Sequence, residues 1–210
     1  MKKIAFLSLC AAGLFLTACG GSEENTETNN ETENQEEQEV VEPTVYKLDT
    51  EASVLKWKGS ESEDDFHVGT IKFSEGSITM AGDELTEGSF VVDMGSIMVT
   101  DEGMPEKLKG KLKGHLENED FFDISKYATT TVSLGNYSDG NLDITLNVMG
   151  TEVKSTVPVA ITTSENGATM KGQFSVDLSS AGVPGLQPEE EEDESISPVI
   201  EFGINAVLTK

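Results

Sequence analysis

A strict alternation of apolar and polar residues constrains the fold of this 210-residue chain more than any other feature. In the segment 141–148, NLDITLNV, the even-numbered positions are leucine, isoleucine or valine and the odd-numbered positions are polar. Because successive side chains of a β-strand point to opposite faces, this segment predicts a strand with one buried and one solvated face. Similar alternating segments occur at 55–58, 71–73, 90–93, 170–177 and 201–208.

Turn-forming residues lie between these segments. They are Gly82-Asp83, Ser138-Asp139-Gly140, Met149-Gly150 and Asn166-Gly167. Amphipathic strands joined by tight turns predict an all-β antiparallel fold, either a sandwich or a barrel. No long stretch alternates strands with helices, which disfavours a parallel, doubly wound sheet.

One short helical insertion is predicted at about 103–116. Its apolar residues step by four and therefore lie along one side of a helix. They are Met104, Leu108, Leu112 and Leu116. Gly110 and Gly114 each weaken such a helix by about 1 kcal/mol relative to alanine, so we expect packing to stabilise it. We interpret its lysines as a solvated face.

The N-terminus has the pattern of a secretory signal. A basic start is followed by the apolar run 4–16, which is too short to span a bilayer. The run ends in Leu16-Thr17-Ala18-Cys19, which resembles the bacterial lipobox. We therefore predict a signal peptide over 1–18 and a lipidated Cys19. With Cys10 in the cleaved segment, the mature protein would have no disulfide.

Residues 19–43 predict an acidic, disordered tether, and 44–210 a single folded domain. The tether is too polar to bury apolar surface, and its flexible reach would be about 25–30 Å. A net charge of −25 excludes nucleic acid as a partner and disfavours adhesion to anionic lipids. We therefore expect an outer membrane lipoprotein that faces the periplasm or the cell surface. The sequence Cys19-Gly-Gly-Ser-Glu-Glu resembles export signals of Bacteroidota surface lipoproteins, which favours the surface.

Residues with catalytic or metal-binding potential are scarce. The two histidines are His67 and His115, and no serine lies in a Gly-x-Ser-x-Gly motif. His115 and Glu119 are one helical turn apart, but two ligands are too few for a metal site. The acidic run 189–194 lacks the glycine-punctuated spacing of a calcium loop. We predict no catalytic residue, no metal and no cofactor.

Five sequence elements, taken together, resemble the YceI-like family. They are Trp57-Lys-Gly, His67-Val-Gly-Thr-Ile, Gly88-Ser-Phe-Val-Val-Asp-Met-Gly-Ser-Ile, Gly114-His-Leu-Glu-Asn-Glu-Asp-Phe-Phe-Asp and Val148-Met-Gly-Thr-Glu-Val-Lys. The resemblance covers essentially all of 45–210. It implies an eight-stranded antiparallel barrel similar to lipocalins, with a long cavity for a polyisoprenoid or another amphiphilic lipid.

On this basis we predict a membrane-anchored, non-enzymatic protein that sequesters or carries an isoprenoid or fatty lipid. The predicted ligand-binding residues are Trp57, His67, Ile71, Phe73, Phe90, Val92, His115, Phe121, Phe122, Ile144, Leu146, Phe174, Phe202 and Ile204. Two alternatives stay open, namely a hydrolase or isomerase of such lipids that uses His67 or His115, and a structural surface module with a packed barrel. The oligomeric state is also open, with a homodimer as one candidate.

The adjacent pair Phe121-Phe122 predicts a closure of one barrel end. Two neighbouring aromatic residues cannot share one face of a strand or helix. One ring can therefore point into the barrel while the other packs beneath the helix. The alternative is that both rings only fill core beside a loop.

We expect Cys19→Ser to leave an unlipidated precursor that no longer sediments with the outer membrane. The hydroxyl cannot replace the thiol as the site of acylation. Membrane fractionation followed by immunoblotting measures this directly. Full retention in the membrane fraction would mean that something other than acylation holds the protein there.

Overall fold

The computed structural model describes residues 41–187 and 196–210. The predicted signal peptide, Cys19, most of the tether and the acidic run 189–194 lie outside the described residues. The described chain contains one α-helix, α1 (Glu106–Glu117), and two short 3₁₀ helices, Ser179–Ala181 and Pro184–Leu186. Its strands are β1 (Thr44–Leu48), β2 (Val54–Ser60), β3 (Phe66–Ala81), β4 (Glu84–Val99), β5 (Thr129–Ser138), β6 (Asn141–Val148), β7 (Thr151–Pro158), β8 (Ala160–Ser164), β9 (Gly167–Asp177) and β10 (Val199–Thr209).

The strands form one antiparallel sheet, as the alternating segments predicted. Its order is β7-β6-β5-β4-β3-β1-β10-β9-β8, and β2 pairs with both β3 and β10. The predicted strand over 141–148 is β6, with the same limits. Two predicted turns, Asp139-Gly140 and Met149-Gly150, have positive φ at both residues. This is the geometry of the type I′ turns that match the twist of a hairpin.

The helix begins about three residues later than predicted. Gly103 has φ of 81° and Pro105 has ψ of 140°, so neither is helical. Proline restricts the residue before it to extended conformations, and it starts a helix well because its missing N–H has no partner there in any case. Of the residues that step by four, Leu112 and Leu116 face the barrel interior, whereas Leu108 is 47% exposed. The pattern could not mark where the helix begins.

The predicted number of eight strands was wrong, because the sheet has ten. The difference arises at two positions where a strand is interrupted. β1 and β2 occupy one position between β3 and β10, with β1 beside Ser77–Met80 and β2 beside Phe66–Ile71 of β3. β7 and β8 occupy another, since β7 pairs with β6 and β8 pairs with β9. Ten strands therefore fill eight positions, and the passage from β7 to β8 closes the sheet into a barrel.

The interruption between β1 and β2 is bridged by the buried hydroxyl of Ser53. Val207 of β10 lies opposite the gap and has no strand residue to pair with there. Its N–H donates to Ser53 Oγ at 2.9 Å, and its carbonyl accepts from the same hydroxyl at 3.3 Å. The Asp49 N–H donates to that carbonyl as well, at 2.8 Å. One side chain thus replaces the missing rung of the ladder.

A second hydroxyl has the same role between β7 and β8. Tyr137 of β5 accepts a hydrogen bond from the Ile161 N–H and donates one to the Val159 carbonyl, both at 3.3 Å. The Val159 N–H donates to the Gly140 carbonyl at 2.9 Å. The backbone groups of the bend where the chain changes sheet partner are therefore satisfied.

The helix end of the barrel is the end that carries α1, the β2–β3 turn (61–65), the β6–β7 turn, and the segments 118–128, 178–187 and 196–198. The strand before each of these connections runs toward the helix end, and the strand after it runs back toward the other end. The other end carries the turns 82–83, 139–140 and 165–166. α1 packs on β4, where the Lys113 ammonium donates to the Ile97 carbonyl at 3.0 Å.

Asp123 organises the loop that follows α1. Its φ is 42°, and its N–H donates to the Asn118 carbonyl at 2.8 Å. Its carboxylate accepts hydrogen bonds from Lys126 Nζ at 2.6 Å and from Ser125 Oγ at 2.7 Å. These bonds, above all the one from Lys126, lower the pKa of Asp123 below its ordinary value. The loop they fix is the one that places Phe121 and Phe122.

We expect Ser53→Ala to lower the free energy of unfolding by about 1–3 kcal/mol, because the Val207 N–H loses its partner in a buried site. Tyr137→Phe removes the equivalent bridge and should cost a similar amount. Ser133→Ala, at an exposed position of β5, is the matched control, with an effect within about 0.5 kcal/mol. Urea denaturation measures all three. Losses no larger than that of the control would mean that the hydroxyls do not support the breaks.

Asp123→Asn should destabilise the domain at neutral pH but not in acid. A carboxyl whose folded-state pKa is lowered stabilises the fold above its unfolded pKa of about 4, and this is lost as pH falls through the lowered value. Asparagine tolerates the positive φ, so the change isolates the charge. Melting temperatures across the acid range should converge with those of wild type. Asp120→Asn is the matched control, because this carboxylate lies in the same loop but forms no ion pair with a described residue.

Candidate functional site

The barrel encloses a cavity of about 190 Å³ that is lined almost entirely by apolar side chains. Inward-facing residues of most strands form its wall, and residues of α1 and the loop after it contribute at the helix end. The wall contains no lysine or arginine among the residues that the structure describes. A space of this kind suits a hydrophobic guest better than water, which needs several polar partners.

All of the predicted ligand-binding residues line this one cavity. On the strands they are Trp57, His67, Ile71, Phe73, Phe90, Val92, Ile144, Leu146, Phe174, Phe202 and Ile204. At the helix end they are His115, Phe121 and Phe122. Their placement on a common wall follows from the alternation of the strands, and their contact with a ligand stays a prediction.

Aromatic side chains form a row across three neighbouring strands. Trp57 of β2 lies opposite Phe202 of β10, and Phe202 lies opposite Phe174 of β9. The rings of Phe174 and Phe202 have centroids 6.0 Å apart, within the usual range for aromatic pairs. This row gives one side of the cavity a broad and rigid apolar surface.

Trp57 contributes the one buried side-chain nitrogen or oxygen that has no hydrogen-bond partner among the described residues. This atom is the indole Nε1. The ring packs against Gly69, the residue directly opposite on β3, where a Cβ atom would overlap it. Glycine at this position therefore lets the indole lie along the cavity wall.

Phe121 and Phe122 close the cavity beneath α1. Phe121 is 4% exposed, and its ring lies edge-on to His115 at 5.8 Å and packs on Gly185 of the second 3₁₀ helix. The Phe122 ring is edge-on to Phe121 at 4.9 Å and is only half-buried. Both rings face the same cavity, so the expected division between barrel and helix is less strict than the sequence suggested.

The exposed part of the cavity wall marks its mouth, at the helix end. Glu61, Asp65 and Phe66 of the β2–β3 connection, together with His115, line the cavity and are exposed to solvent. Phe66 is 43% exposed, with the ammonium of Lys58 at 4.8 Å from its ring centre. An exposed aromatic ring at the entrance can contact an apolar chain as it enters.

His67, also on the wall near the mouth, is fixed by Asp101. Its Nδ1 lies 2.8 Å from Asp101 Oδ2, and the Val68 N–H donates to the other carboxylate oxygen at 2.8 Å. Asp101 follows directly after β4, so it links the ends of two adjacent strands. The pair orients the imidazole and leaves Nε2 available for a ligand.

The described residues show little that would support catalysis. No serine, threonine or cysteine is hydrogen-bonded to the side chain of His67 or His115 in this part of the chain. Between 41–187 and 196–210, no three histidine, cysteine, aspartate or glutamate side chains are grouped to hold a metal ion. None of the helices within these ranges is long and apolar enough to cross a membrane.

Several residues that line the cavity were not among the predicted ligand-binding residues. Leu142, Val148, Met170, Val176 and Leu55 face inward beside predicted neighbours on the same strands. Continuing each alternation to the strand ends would have found them. Glu61, Asp65 and Ile196 also line the cavity, but they lie outside the strands and no periodicity marks them.

The arrangement is similar to those of known proteins. A crystal structure of BcnA from Burkholderia cenocepacia is similar with a TM-score of 0.61 and 18% identity, covering 76% of this chain and 98% of that protein. A polyisoprenoid binding domain from Saccharophagus degradans, implicated in plant cell wall breakdown, is similar with a TM-score of 0.55 and 15% identity. That match covers 81% of this chain and 99% of the other.

At these identities the similar structures support the fold alone. No protein of curated function has a sequence that matches this chain significantly. The YceI-like domain model, in contrast, matches residues 46–208, which is most of the chain. The chain therefore belongs to the YceI-like domain family.

Proposed function

We propose that this protein binds an isoprenoid-type or other amphiphilic lipid in the barrel cavity and carries or sequesters it without chemical change. The observation that carries the proposal is the apolar cavity with its exposed mouth. The similar domain from Saccharophagus degradans, a polyisoprenoid binding domain, supports the same class of ligand.

Burial of the lipid chain supplies the driving force. Each methylene that leaves water for an apolar site contributes about 0.8 kcal/mol. The aromatic row of Trp57, Phe202 and Phe174 offers flat surfaces against which a branched, unsaturated chain can pack. Affinity should therefore rise with chain length until the cavity is filled.

The proposed anchor is a diacylated Cys19 at the end of an acidic tether. Acyl chains in the outer membrane would hold the domain near the lipids that it binds, on the periplasmic side or at the cell surface. The net charge of −25 favours such an apolar anchor over attraction to anionic head groups. A homodimer is compatible with this arrangement but is not required by it.

The other functions considered have less support. A solidly packed structural barrel does not fit a cavity of about 190 Å³. A hydrolase or isomerase would use His67, which Asp101 orients at 2.8 Å, but such a histidine still needs a nucleophile or a bound water to activate. Release of product from lipid esters by the purified protein would favour this alternative.

We expect Phe122→Ala to weaken the binding of long-chain isoprenoids by roughly ten- to a hundredfold, since burying a phenylalanine contributes about 1.5–3 kcal/mol. Its ring lines the cavity and is only half-buried, so its loss should reduce affinity more than stability. Phe121→Ala should instead cost stability, about 3–5 kcal/mol, because the ring is enclosed by its neighbours.

Calorimetric titration with isoprenoids, beside thermal melting of each variant, separates the two effects. Tyr127→Ala is the control, because this exposed aromatic residue belongs to the same loop but does not line the cavity. If both phenylalanine variants bind as wild type does whenever folded, the pair is only core. If wild type binds no isoprenoid at all, the proposed function is wrong.

A further inference from the structure

We propose that the lipid held in this cavity has an uncharged head group with an oxygen atom that accepts a hydrogen bond from Trp57 Nε1. The inference rests on the proposed function and narrows its ligand class. Alcohols, ethers, esters and ketones of long apolar chains fit it, whereas lipid phosphates and free fatty acids do not. Two separate features carry it, namely the buried indole nitrogen and the charges at the mouth.

The indole nitrogen needs a partner that the described part of the chain does not supply. Nε1 is buried and makes no hydrogen bond, although buried donors are nearly always paired in folded proteins. Trp57 lines the cavity, and its ring is held against Gly69. The ring therefore cannot readily turn to seek a partner elsewhere. An acceptor inside the cavity would satisfy the donor without any rearrangement.

The position of Trp57 suits a head group rather than the far end of a chain. Gly59, which pairs with His67 near the mouth, is two residues along β2 from Trp57. Two residues of a strand span about 6–7 Å, so the indole lies one inward-facing position below the level of His67. A lipid seated with its chain deep in the barrel would bring its head oxygen to this level.

Two other polar side chains on the wall, Thr130 and His67, form hydrogen bonds within the fold. The buried Thr130 hydroxyl donates to Met94 Sδ at 3.4 Å. His67 is bound through Nδ1 to Asp101, which leaves Nε2 near the mouth. The remaining wall is mainly hydrocarbon and aromatic surface. Trp57 is therefore the donor best placed to discriminate an oxygenated lipid from a hydrocarbon.

The charges at the mouth exclude an anionic head. Glu61 and Asp65 line the cavity, and neither forms an ion pair with any residue that the structure describes. The nearby ammonium of Lys58 is paired with Glu201 at 2.8 Å, so its charge is offset. A phosphate or carboxylate entering here would meet two uncompensated carboxylates at the entrance of an apolar site.

The first test uses the single tryptophan of the chain. Protein labelled with ¹⁵N gives one indole N–H resonance, which reports on Trp57 alone. We expect geranylgeraniol to move this resonance downfield and to slow its exchange with water, whereas the hydrocarbon with the same chain leaves it near its free position. An unchanged resonance in the alcohol complex would overturn the hydrogen bond.

The second test compares affinities by calorimetry. Wild type should bind the alcohol roughly three- to tenfold more tightly than the matched hydrocarbon, which is the usual net effect of one hydrogen bond. Trp57→Phe retains an aromatic ring but removes the donor. It should bring the affinities for the alcohol and the hydrocarbon to the same value, even if the smaller ring lowers both, and thermal melting shows that the variant folds.

The third test replaces the alcohol by its monophosphate. Wild type should bind the monophosphate more weakly than the alcohol, with a larger gap at low salt. The double variant Glu61→Gln with Asp65→Asn should bind the monophosphate roughly two- to tenfold more tightly than wild type does. Glu63→Gln with Asp64→Asn is the matched control, because these residues lie in the same turn but do not line the cavity.

The outcomes separate the two proposals. If neither alcohol nor hydrocarbon binds to wild type, the proposed function itself fails. If both bind equally and Trp57→Phe has no effect, lipid binding stands and the hydrogen-bonded head group is wrong. Tighter binding of the monophosphate than of the alcohol by wild type would likewise overturn the uncharged head group.

Discussion

The hydroxyl groups of Ser53 and Tyr137 hold together the two points at which the barrel wall is interrupted. β1 and β2 pair with the same two strands on either side of a gap, whereas from β7 to β8 the chain leaves β6 and pairs with β9. In both places backbone groups would be unpaired without a substitute bond. Unpaired backbone groups inside a sheet are unfavourable, so these two side chains let the sheet bend without losing its ladder. The closed wall, and with it the enclosed cavity, depends on them.

Because the sheet is closed, alternate side chains of each strand point into the barrel and the others point out to solvent. Once the sheet is closed, every inward side chain faces the same space, and the cavity is what these side chains leave unfilled. Gly69 shows how the space is kept, because its missing side chain lets the Trp57 ring lie against the wall. An unfilled apolar space lowers stability, and this cost agrees with the proposed binding of a guest.

Much of this arrangement was predictable from the sequence, because strands have a period of two. The limits of β6 and the inward direction of Ile144 and Leu146 follow from the pattern of 141–148 alone. The break between β7 and β8 was not predictable, since Val159 continues the apolar pattern while its backbone changes partner. Periodicity describes side chains, and it does not report which strand the backbone bonds to.

Contacts between residues that are distant in the sequence could not be predicted either. His67 was predicted on the wall, but its partner Asp101 is one of many carboxylates in an acidic chain, and no spacing singles it out. Glu61 and Asp65 lie in a turn whose composition suggests only solvent exposure. Their place at the mouth depends on the β2–β3 pairing, which brings the turn over the open end.

The helix end of the barrel has to meet two requirements that oppose each other. α1 and the loop fixed by Asp123 cover the apolar interior, yet the proposed binding of a lipid also requires an opening. The structure divides these roles between two segments. Phe121 is packed between α1 and Gly185 and keeps the cover in place, whereas exposed residues of the β2–β3 connection form the mouth. The mouth therefore lies beside the cover, with Glu61 and Asp65 at its edge, and the proposed entry of a lipid would not require the helix to unfold.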